Sequence, residues 1–339
     1  MSSLGDRIKA LESLGQYFNS FNENDPKYEK LLFAIEKSYQ NNGWFRKEEC
    51  LKAISSWGIA LKKEKIEKWL AKYELAENKN PKTIALVLAG NIPMVGFHDL
   101  IAVWISGNNA LVKCASKDKV LIPFIVNNNP IFKEMTTFTN EKLKDFHAVI
   151  ATGSNNTGRY FNYYFSKYPS VIRKNRNGVG ILNGRESNEE MEGLGRDMLQ
   201  YFGLGCRNVS KLYLPKGYDL NQIFSSIYPL KSVIEVHKYA NNYDYNKAVF
   251  LMSNYDFVEN GFLMLKKDEK ISSPIGCVYY EEYENLISLQ MKLENKKPDI
   301  QCIVTNEAIP NKISFGQTQN PALWDYADDI DTIEFLSNL

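Results

Sequence analysis

Cys206 is the residue whose surroundings most suggest covalent chemistry. It lies in the segment YFGLGCRNVSKLYLP, between a predicted helix and a predicted strand, and Gly203 and Gly205 leave open space around its sulfur. Arg207 follows it, and a neighbouring cation favours the thiolate, which is the nucleophilic form of cysteine. Most single cysteines are inert core residues. The other four lie in predicted strands or helices: Cys50, Cys114, Cys277 and Cys302. Cys206 is therefore the candidate nucleophile.

A second candidate site is the turn in ATGSNNTGR. A predicted strand runs into Thr152, Gly153 and Ser154, and Gly158 is expected to open the helix that follows. Such a turn presents backbone N–H groups to an anion, and the serine hydroxyl can donate to a phosphate. The segment is neither a Walker loop nor a G-x-G-x-x-G fingerprint. By itself the pattern is more often a simple turn than a phosphate site.

Two further residues follow predicted buried strands. Lys113, in LVKCASKD, ends a strand at the edge where open α/β sheets bind ligands, although a lysine there can also merely cap the sheet. Asn91, in AGNIPMVGF, stands between a strand and a helix, and its amide could donate to a developing oxyanion. An asparagine before a helix is more often an N-cap, so each residue has a structural alternative.

Composition excludes several classes of function. Lys and Arg total 41 against 40 Asp and Glu, which gives no reason to expect nucleic acid as a partner. Five separated cysteines without a Cys-x-x-Cys pair argue against disulfides and structural zinc, and the three histidines share no metal-ligand spacing. No G-x-S-x-G elbow is present, so a serine hydrolase is disfavoured.

The longest apolar stretch does not resemble a membrane span. The segment IALVLAGNIPMVGFHDLIAVWISG is interrupted by Asn91, Pro93, His98 and Asp99, which are costly in lipid. The first residues lack the apolar run of a signal peptide. The sequence therefore predicts a soluble, cytoplasmic protein with no membrane span and no bound metal.

The order of predicted elements indicates an α/β fold. Residues 1–80 show helical periodicity, and from Thr83 onward short apolar strands alternate with helices, as in doubly wound parallel sheets. Residues 81–178 are expected to form a dinucleotide-binding domain, 179–310 a catalytic domain, and 311–339 a C-terminal segment. Predicted strands of the second domain include KAVFLMS, FLMLKK, GCVYYEEY and IQCIVTN.

The four sites occur in an order that resembles the aldehyde-dehydrogenase superfamily. More closely, LAGNIPMVGFHDL, ATGSNNTGR, IRKNRNGV, YFGLGCRNVSKLY and NPALWDYADDIDTIEFL resemble the LuxC family of bacterial acyl-CoA and acyl-protein reductases. The resemblance covers about residues 80–339 and implies an aldehyde-dehydrogenase-like fold with two doubly wound domains and an N-terminal helical extension. It also implies reduction of a fatty acyl thioester to an aldehyde.

The resemblance gives each site a role. Cys206 matches the cysteine that forms the thioester, and Asn91 matches the asparagine that binds the oxyanion together with the backbone N–H of Cys206. Lys113 matches the lysine that bonds the adenosine ribose. Thr152, Gly153 and Ser154 match the turn beside the cofactor pyrophosphate, and Gly158 matches the start of the helix behind it.

The sequence departs from the superfamily pattern at three places. The segment IRKNRNGV places Arg173 near the position of a glutamate that activates water, so hydrolysis of the thioester should be slow. SSPIGCVYY lacks the glutamate of the superfamily's Glu-x-Phe-Gly-Pro segment. Without this glutamate, the nicotinamide ribose is expected to be bound less firmly. Ser116 replaces a glutamate that would repel a 2′-phosphate, and Lys117 is nearby. The expected cofactor is NADPH, with NADH as the alternative, and Ser116 joins the cofactor-binding residues.

Three other functions remain open at this point. One is a short-chain acylating aldehyde dehydrogenase of dissimilatory type. Another is a cysteine acyltransferase or thioesterase without redox chemistry, and the last is a non-catalytic partner subunit of an acyl-activating complex. The expected partners are an acyl-CoA or acyl-carrier substrate, an acyl-activating protein and a second copy of the chain in a homo-oligomer.

Overall fold

The structure is a computed structural model that describes residues 2–75 and 77–339, with only the backbone described at Asn155. The chain forms two compact units. Met1–Lys174 together with Pro321–Leu339 make up the first unit, and Asn175–Asn320 make up the second. The first unit is therefore discontinuous in sequence, whereas the second is a single continuous segment.

The N-terminal part of the first unit is helical. A capping box at Ser3 and Asp6 starts the first helix by satisfying its free N–H groups. This helix packs on the third helix, and at Gly15 a Cβ would lie 2.7 Å from Leu61 Cβ, so only glycine permits the close approach. The four helices are α1 (Leu4–Asn19), α2 (Glu29–Asn41), α3 (Lys47–Ala60) and α4 (Lys63–Leu70).

The rest of the first unit is built on a five-stranded parallel sheet in the order β3-β2-β1-β4-β5. Ile84, Ala85 and Leu86 in the central strand are completely buried, as expected for a strand covered on both faces. The strands are β1 (Thr83–Val87), β2 (Asn109–Lys113), β3 (Thr136–Phe138), β4 (Ala148–Thr152) and β5 (Ser170–Arg173). The helices between them are α5 (Phe97–Ile105), α6 (Leu121–Asn127), α7 (Pro130–Glu134) and α8 (Asn155–Tyr164).

The second unit contains a six-stranded sheet in the order β11-β6-β7-β10-β9-β8, parallel except for the antiparallel edge strand β8. The strands are β6 (Asn177–Ile181), β7 (Val209–Pro215), β8 (Phe257–Glu259), β9 (Met264–Lys267), β10 (Cys277–Tyr283) and β11 (Ile300–Thr305). The helices are α9 (Asn188–Leu199), α10 (Leu220–Ile227), α11 (His237–Met252) and α12 (Leu286–Lys296).

The C-terminal segment returns to the first unit and ends in α13 (Thr332–Ser337). Tyr326 accepts a hydrogen bond from the Trp69 indole N–H at 2.7 Å, and Lys72 forms an ion pair with Asp331 at 2.8 Å. These contacts attach the segment to α4 and to the residues that follow it. Short 3-10 turns occur at Pro26–Tyr28, Gln200–Gly203, Tyr228–Glu235, Lys297–Asp299 and Ala327–Asp329.

The structure confirms the predicted α/β class but corrects several elements. The apolar run KAVFLMS, expected to be a strand, forms the end of α11. The short strands β3, β5 and β8 were not predicted from the sequence. Cys114 lies one residue beyond β2 and is half-buried, whereas the sequence placed it inside a strand.

Candidate active site

Cys206 lies in a loop whose backbone is unusually constrained. After α9 ends at Leu199, Tyr201, Phe202 and Gly203 adopt positive φ values of 51°, 60° and 74°. Left-handed backbone costs free energy for residues other than glycine and persists only where the surroundings enforce it. The loop then passes through Cys206 and enters β7 at Val209. Cys206 itself is partly exposed, at the amino end of that strand.

The Asn208 side chain holds this loop in place. Asn208 is 1% exposed; its Oδ1 accepts from the Gly205 N–H at 2.8 Å, and its Nδ2 donates to the carbonyls of Asp197 and Gln200 at 2.9 Å each. One buried amide thus joins the end of α9 to the residue before the cysteine. A Cβ at Gly205 would lie 2.9 Å from Asn208 Oδ1, so a larger residue would displace this amide.

A second set of contacts attaches residues 316–319 to the cysteine loop. The buried Asp197 carboxylate accepts from the N–H groups of Gly316 (2.7 Å) and Thr318 (3.1 Å) and from the Thr318 hydroxyl (2.8 Å). Burial raises the pKa of Asp197. Arg207 Nε donates to the Thr318 carbonyl at 2.7 Å. Residues 316–319 are therefore fixed beside the loop that carries Cys206.

The remaining four cysteines are in environments that suppress ionisation. Burial raises the pKa of Cys50, Cys114, Cys277 and Cys302 to about 12. The Cys302 thiol is buried and donates to the Arg207 carbonyl at 3.6 Å, so it packs against the backbone of the loop. Because only the thiolate is nucleophilic, these four positions are unsuited to attack on an acyl group.

The sites predicted in the first unit come together at one edge of its sheet. Lys113 is the last residue of β2, Thr152 is the last of β4, and both strands pair with β1. Asn91 follows β1 by four residues. The carboxyl ends of parallel strands are where open α/β sheets bind ligands. The Lys113 ammonium donates to the Glu141 carbonyl at 2.9 Å, which uses one of its three N–H groups.

Asn91 is not an N-cap. The next helix, α5, begins at Phe97 with Gly96 as its N-cap, so Asn91 lies in the extended turn before it. Met94 in this turn has φ 59°, and a Cβ at Gly96 would lie 2.5 Å from Leu88 Cδ2. The turn is therefore folded tightly onto the end of β1. The alternative that Asn91 caps the following helix does not apply.

The glycine-serine turn differs in detail from the prediction. Helix α8 begins at Asn155 with Ser154 as its N-cap, and the Ser154 hydroxyl accepts from the Thr157 N–H at 3.3 Å. Gly158 does not open the helix: its N–H already donates to the Ser154 carbonyl at 2.7 Å, and a Cβ there would lie 3.1 Å from Lys174 Cγ. Its function is close packing rather than direct contact with an anion.

The turn has features that suit the phosphate groups of a cofactor. Gly153 lies at the amino end of α8, and a Cβ there would lie 3.0 Å from Thr157 and 3.1 Å from Phe161, so a side chain would push the helix away. The positive end of the helix dipole and the Lys113 ammonium would both face phosphate or ribose oxygens. Ser116 and Lys117 are exposed after β2. The residues of this edge therefore fit such a cofactor.

Arg173 is not positioned as an active-site residue. It is 4% exposed and forms an ion pair with Asp99, while its Nη2 donates to the Thr332 hydroxyl at 2.9 Å. This buried contact joins β5, α5 and α13 within the first unit. No group of three or more His, Cys, Asp or Glu side chains that could hold a metal occurs in the described ranges. Likewise, none of the helices in this part of the chain is both long and apolar enough to cross a membrane.

Comparison with solved structures identifies the fold. An aldehyde dehydrogenase from Bacillus cereus in complex with NAD⁺ superimposes with a TM-score of 0.64 at 11% identity, over 91% of this chain and 73% of that one. A Mycobacterium tuberculosis aldehyde dehydrogenase complexed with NAD⁺ gives 0.63 at 11% identity, over 94% and 76%. An NAD-dependent aldehyde dehydrogenase from Sinorhizobium meliloti gives 0.65 at 9%, over 94% and 72%. No protein-family model and no curated protein sequence matches.

The chain is thus a protein of two parallel α/β units, the second of which presents a cysteine on a constrained loop. Its fold is that of the aldehyde dehydrogenases. The sequence analysis did not single out the residues that build the loop. Asn208 acts through bonds to backbone groups 3 to 11 residues before it, whereas Asp197 bonds to Gly316 and Thr318, far away in sequence. Their residue types alone gave no signal.

Proposed function

We propose that this protein is a nicotinamide-dependent oxidoreductase of the LuxC type, which reduces a fatty acyl thioester to an aldehyde through a thioester on Cys206. The observation that carries the proposal is the loop from Tyr201 to Asn208. It combines strained backbone, a fully bonded buried amide at Asn208 and a partly exposed cysteine, while the other four thiols are held in their neutral form. Strain of this kind clusters at functional sites.

In the proposed reaction the Cys206 thiolate forms a bond to the acyl carbon of the incoming thioester. The bond from that carbon to the carrier sulfur then breaks, and the carrier leaves as its thiolate. The cofactor, when bound, supplies the hydride that reduces the acyl group. Cleavage of the carbon–Sγ bond returns the electron pair to Cys206 and releases the aldehyde. Asn91 is proposed to donate to the carbonyl oxygen as negative charge develops on it.

The proposal of reduction, rather than oxidation to an acid, rests on the absence of a water-activating carboxylate in residues 171–178. Those residues read VIRKNRNG, and Arg173 among them is buried in its ion pair with Asp99. Without a general base, water attack on the thioester should be slow. A thioester that resists hydrolysis can persist until hydride arrives.

The proposed cofactor is NADPH, bound at the carboxyl edge of the first sheet. Lys113 is proposed to contact the ribose, and Thr152, Gly153 and Ser154 the pyrophosphate. Ser116, Lys117 and Lys119 are exposed beside Lys113, whereas the carboxylate of Asp118 is 4% exposed and faces inward. An edge with exposed cations and a hidden carboxylate favours a ligand with a 2′-phosphate.

The experiment is intact-mass spectrometry after incubation with acetyl-, octanoyl- and tetradecanoyl-CoA, with and without NADPH. Without NADPH, a hydroxylamine-sensitive acyl group should accumulate on Cys206. With NADPH, it should be discharged as aldehyde. Cys206→Ser should abolish both, because a hydroxyl lacks the nucleophilicity of a thiolate. Cys277→Ser, a buried cysteine of the same unit, is the matched control and should keep both.

Each alternative outcome has a distinct meaning. Acylation of Cys206 that NADPH cannot discharge would favour an acyltransferase or thioesterase over a reductase. An acyl label on another cysteine, or full turnover by Cys206→Ser, would refute the mechanism. A strong preference for acetyl-CoA would indicate a short-chain dissimilatory enzyme.

A further inference from the structure

The strongest unassigned feature beside the cysteine loop is the side chain of Gln319. It is 9% exposed, and its Nε2 is buried without a hydrogen-bond partner anywhere in the described part of the chain. Buried donors in native proteins are almost always paired, because an unpaired donor loses its hydrogen bond to water and gains no replacement. An orphaned donor in a functional region therefore indicates a missing acceptor.

The position of this amide points to where that acceptor would be. A Cβ at Gly205 would lie 3.5 Å from both Nε2 and Oε1 of Gln319, so the amide lies over the Gly205 Cα. Gly205 is the residue immediately before Cys206. The absence of a side chain at Gly205 thus leaves room for the amide beside the residue that precedes Cys206.

The segment that carries Gln319 is firmly held. Asp197 receives three hydrogen bonds from Gly316 and Thr318, and Arg207 donates to the Thr318 carbonyl. The residue before Gln319 is therefore tied both to α9 and to the residue after the cysteine. A donor that contributes to catalysis must be held in place before the reaction, so that no reorganisation is needed as charge develops.

Several donors close to Cys206 already have acceptors, whereas Gln319 Nε2 has none among the described residues. The Gly205 N–H is used by Asn208, the Asn208 amide is saturated by backbone groups, and the Arg207 Nε is bound to Thr318. The Asp197 carboxylate is an acceptor, and its described hydrogen bonds come from Gly316 and Thr318. A carbonyl oxygen attached to Cys206 needs a donor, and Gln319 Nε2 needs an acceptor.

We infer that Gln319 is a further catalytic residue, whose amide N–H donates to the oxygen of the acyl group as Cys206 attacks it. The inference rests on the proposed role of Cys206 as an acyl-accepting nucleophile. When the thiolate adds to the carbonyl, the carbon–oxygen π electrons move to the oxygen, and Gln319 binds the oxyanion that results. On collapse of the tetrahedral species those electrons re-form the carbonyl and the leaving group departs. The amide keeps its own protons throughout.

The test compares two reactions of the same thiol. Acylation by p-nitrophenyl acetate passes through an oxyanion, whereas alkylation by iodoacetamide displaces iodide and forms none. Gln319→Met is close in size and lacks the donor. It should slow acylation of Cys206 by about 100-fold, the usual effect of removing one oxyanion donor, and leave the alkylation rate unchanged.

Two further variants complete the design. Gln317→Met changes an exposed glutamine two residues away and should leave both rates as in the wild type. Gln319→Glu should be slow at neutral pH, where the carboxylate repels the oxyanion. Its acylation rate relative to the wild type at the same pH should partly recover at low pH, as the protonated acid regains an O–H donor. A purely structural role would not produce that recovery.

The outcomes separate this inference from the proposed function. Equal losses of acylation and alkylation in Gln319→Met would show that the residue merely supports the loop, and would overturn the inference. Unchanged acylation would overturn it as well. Because p-nitrophenyl acetate needs neither CoA nor a cofactor, failure to reduce acyl-CoA would refute the proposed function without affecting this result.

Discussion

Asp118 carries a large and measurable electrostatic cost. It follows β2, is 4% exposed, and has both carboxylate oxygens buried without a hydrogen-bond partner in residues 2–75 and 77–339. It packs against the turn that precedes Asn91: a Cβ at Gly90 would lie 3.0 Å from Asp118 Cβ. Burial raises the pKa of Asp118 from 3.8 to about 7.

The sign and size of the effect follow from this pKa. Between pH 3.8 and about 7 the unfolded carboxyl is ionised while the folded one keeps its proton, so folding takes up a proton. Stability is then greatest below the unfolded value and is lost as the pH rises through the folded value. The full difference corresponds to about 4 kcal/mol, of which about 2.5 kcal/mol develops between pH 5 and pH 8.

Asp118→Asn removes the charge and leaves a neutral amide of the same shape. The free energy of unfolding of the variant minus that of the wild type should therefore be about 2.5 kcal/mol larger at pH 8 than at pH 5. Any cost of burying the neutral amide is the same at both pH values and cancels from this comparison. Urea titration followed by tryptophan fluorescence at the two pH values measures this difference. Asp145→Asn, at an exposed position, is the control and should show no such dependence. A pH-independent effect of Asp118→Asn would refute the reasoning.

Three other predictions concern the site. Lys113→Ala should weaken NADPH binding by about 1–3 kcal/mol, because a charged hydrogen bond is lost. A fluorescence titration measures this affinity, and an unchanged affinity would exclude Lys113 from the cofactor site. Asn208→Ala deletes three buried hydrogen bonds and should destabilise the protein by about 3 kcal/mol in urea unfolding, whereas a change below 1 kcal/mol would contradict the described bonding. Incubation with aldehyde and NADP⁺ should yield acid only in traces and thioester when CoA is added, as followed by chromatography; acid formed as fast as thioester would show that water is activated after all.

Local sequence patterns predicted much of the fold. The strands around Ile84, Val112 and Val149 are short apolar runs separated by helices, and they form the central strands of the first sheet. The run KAVFLMS was misread because a short apolar stretch has the same appearance in a buried strand and at the end of a helix. The three-residue strands β3 and β8 are too short to show any periodicity.

Candidate site residues could be proposed from the sequence only where they lie in one continuous motif. The loop around Cys206 carries its glycines in one continuous motif, so its position was clear from the sequence. The contacts around the loop join residues distant in sequence: Thr318 donates to Asp197, and the Gln319 amide lies close to Gly205. Gly158 was assigned to the start of a helix because its true neighbour, Lys174, lies on another element. Contacts between residues distant in sequence cannot be predicted from residue spacing or from amino-acid composition.

The discontinuity of the first unit affects how the chain can fold during synthesis. Asn175–Asn320 is a continuous stretch and can complete its sheet as soon as it has emerged from the ribosome. Met1–Lys174 emerges earlier. Its hydrogen bonds from Arg173 to Thr332 and from Trp69 to Tyr326 cannot form until the C-terminal segment has been translated. The nascent first unit therefore has Asp99 but not yet Thr332 as a partner for Arg173, and the part of the chain made first is the last to reach its final packing.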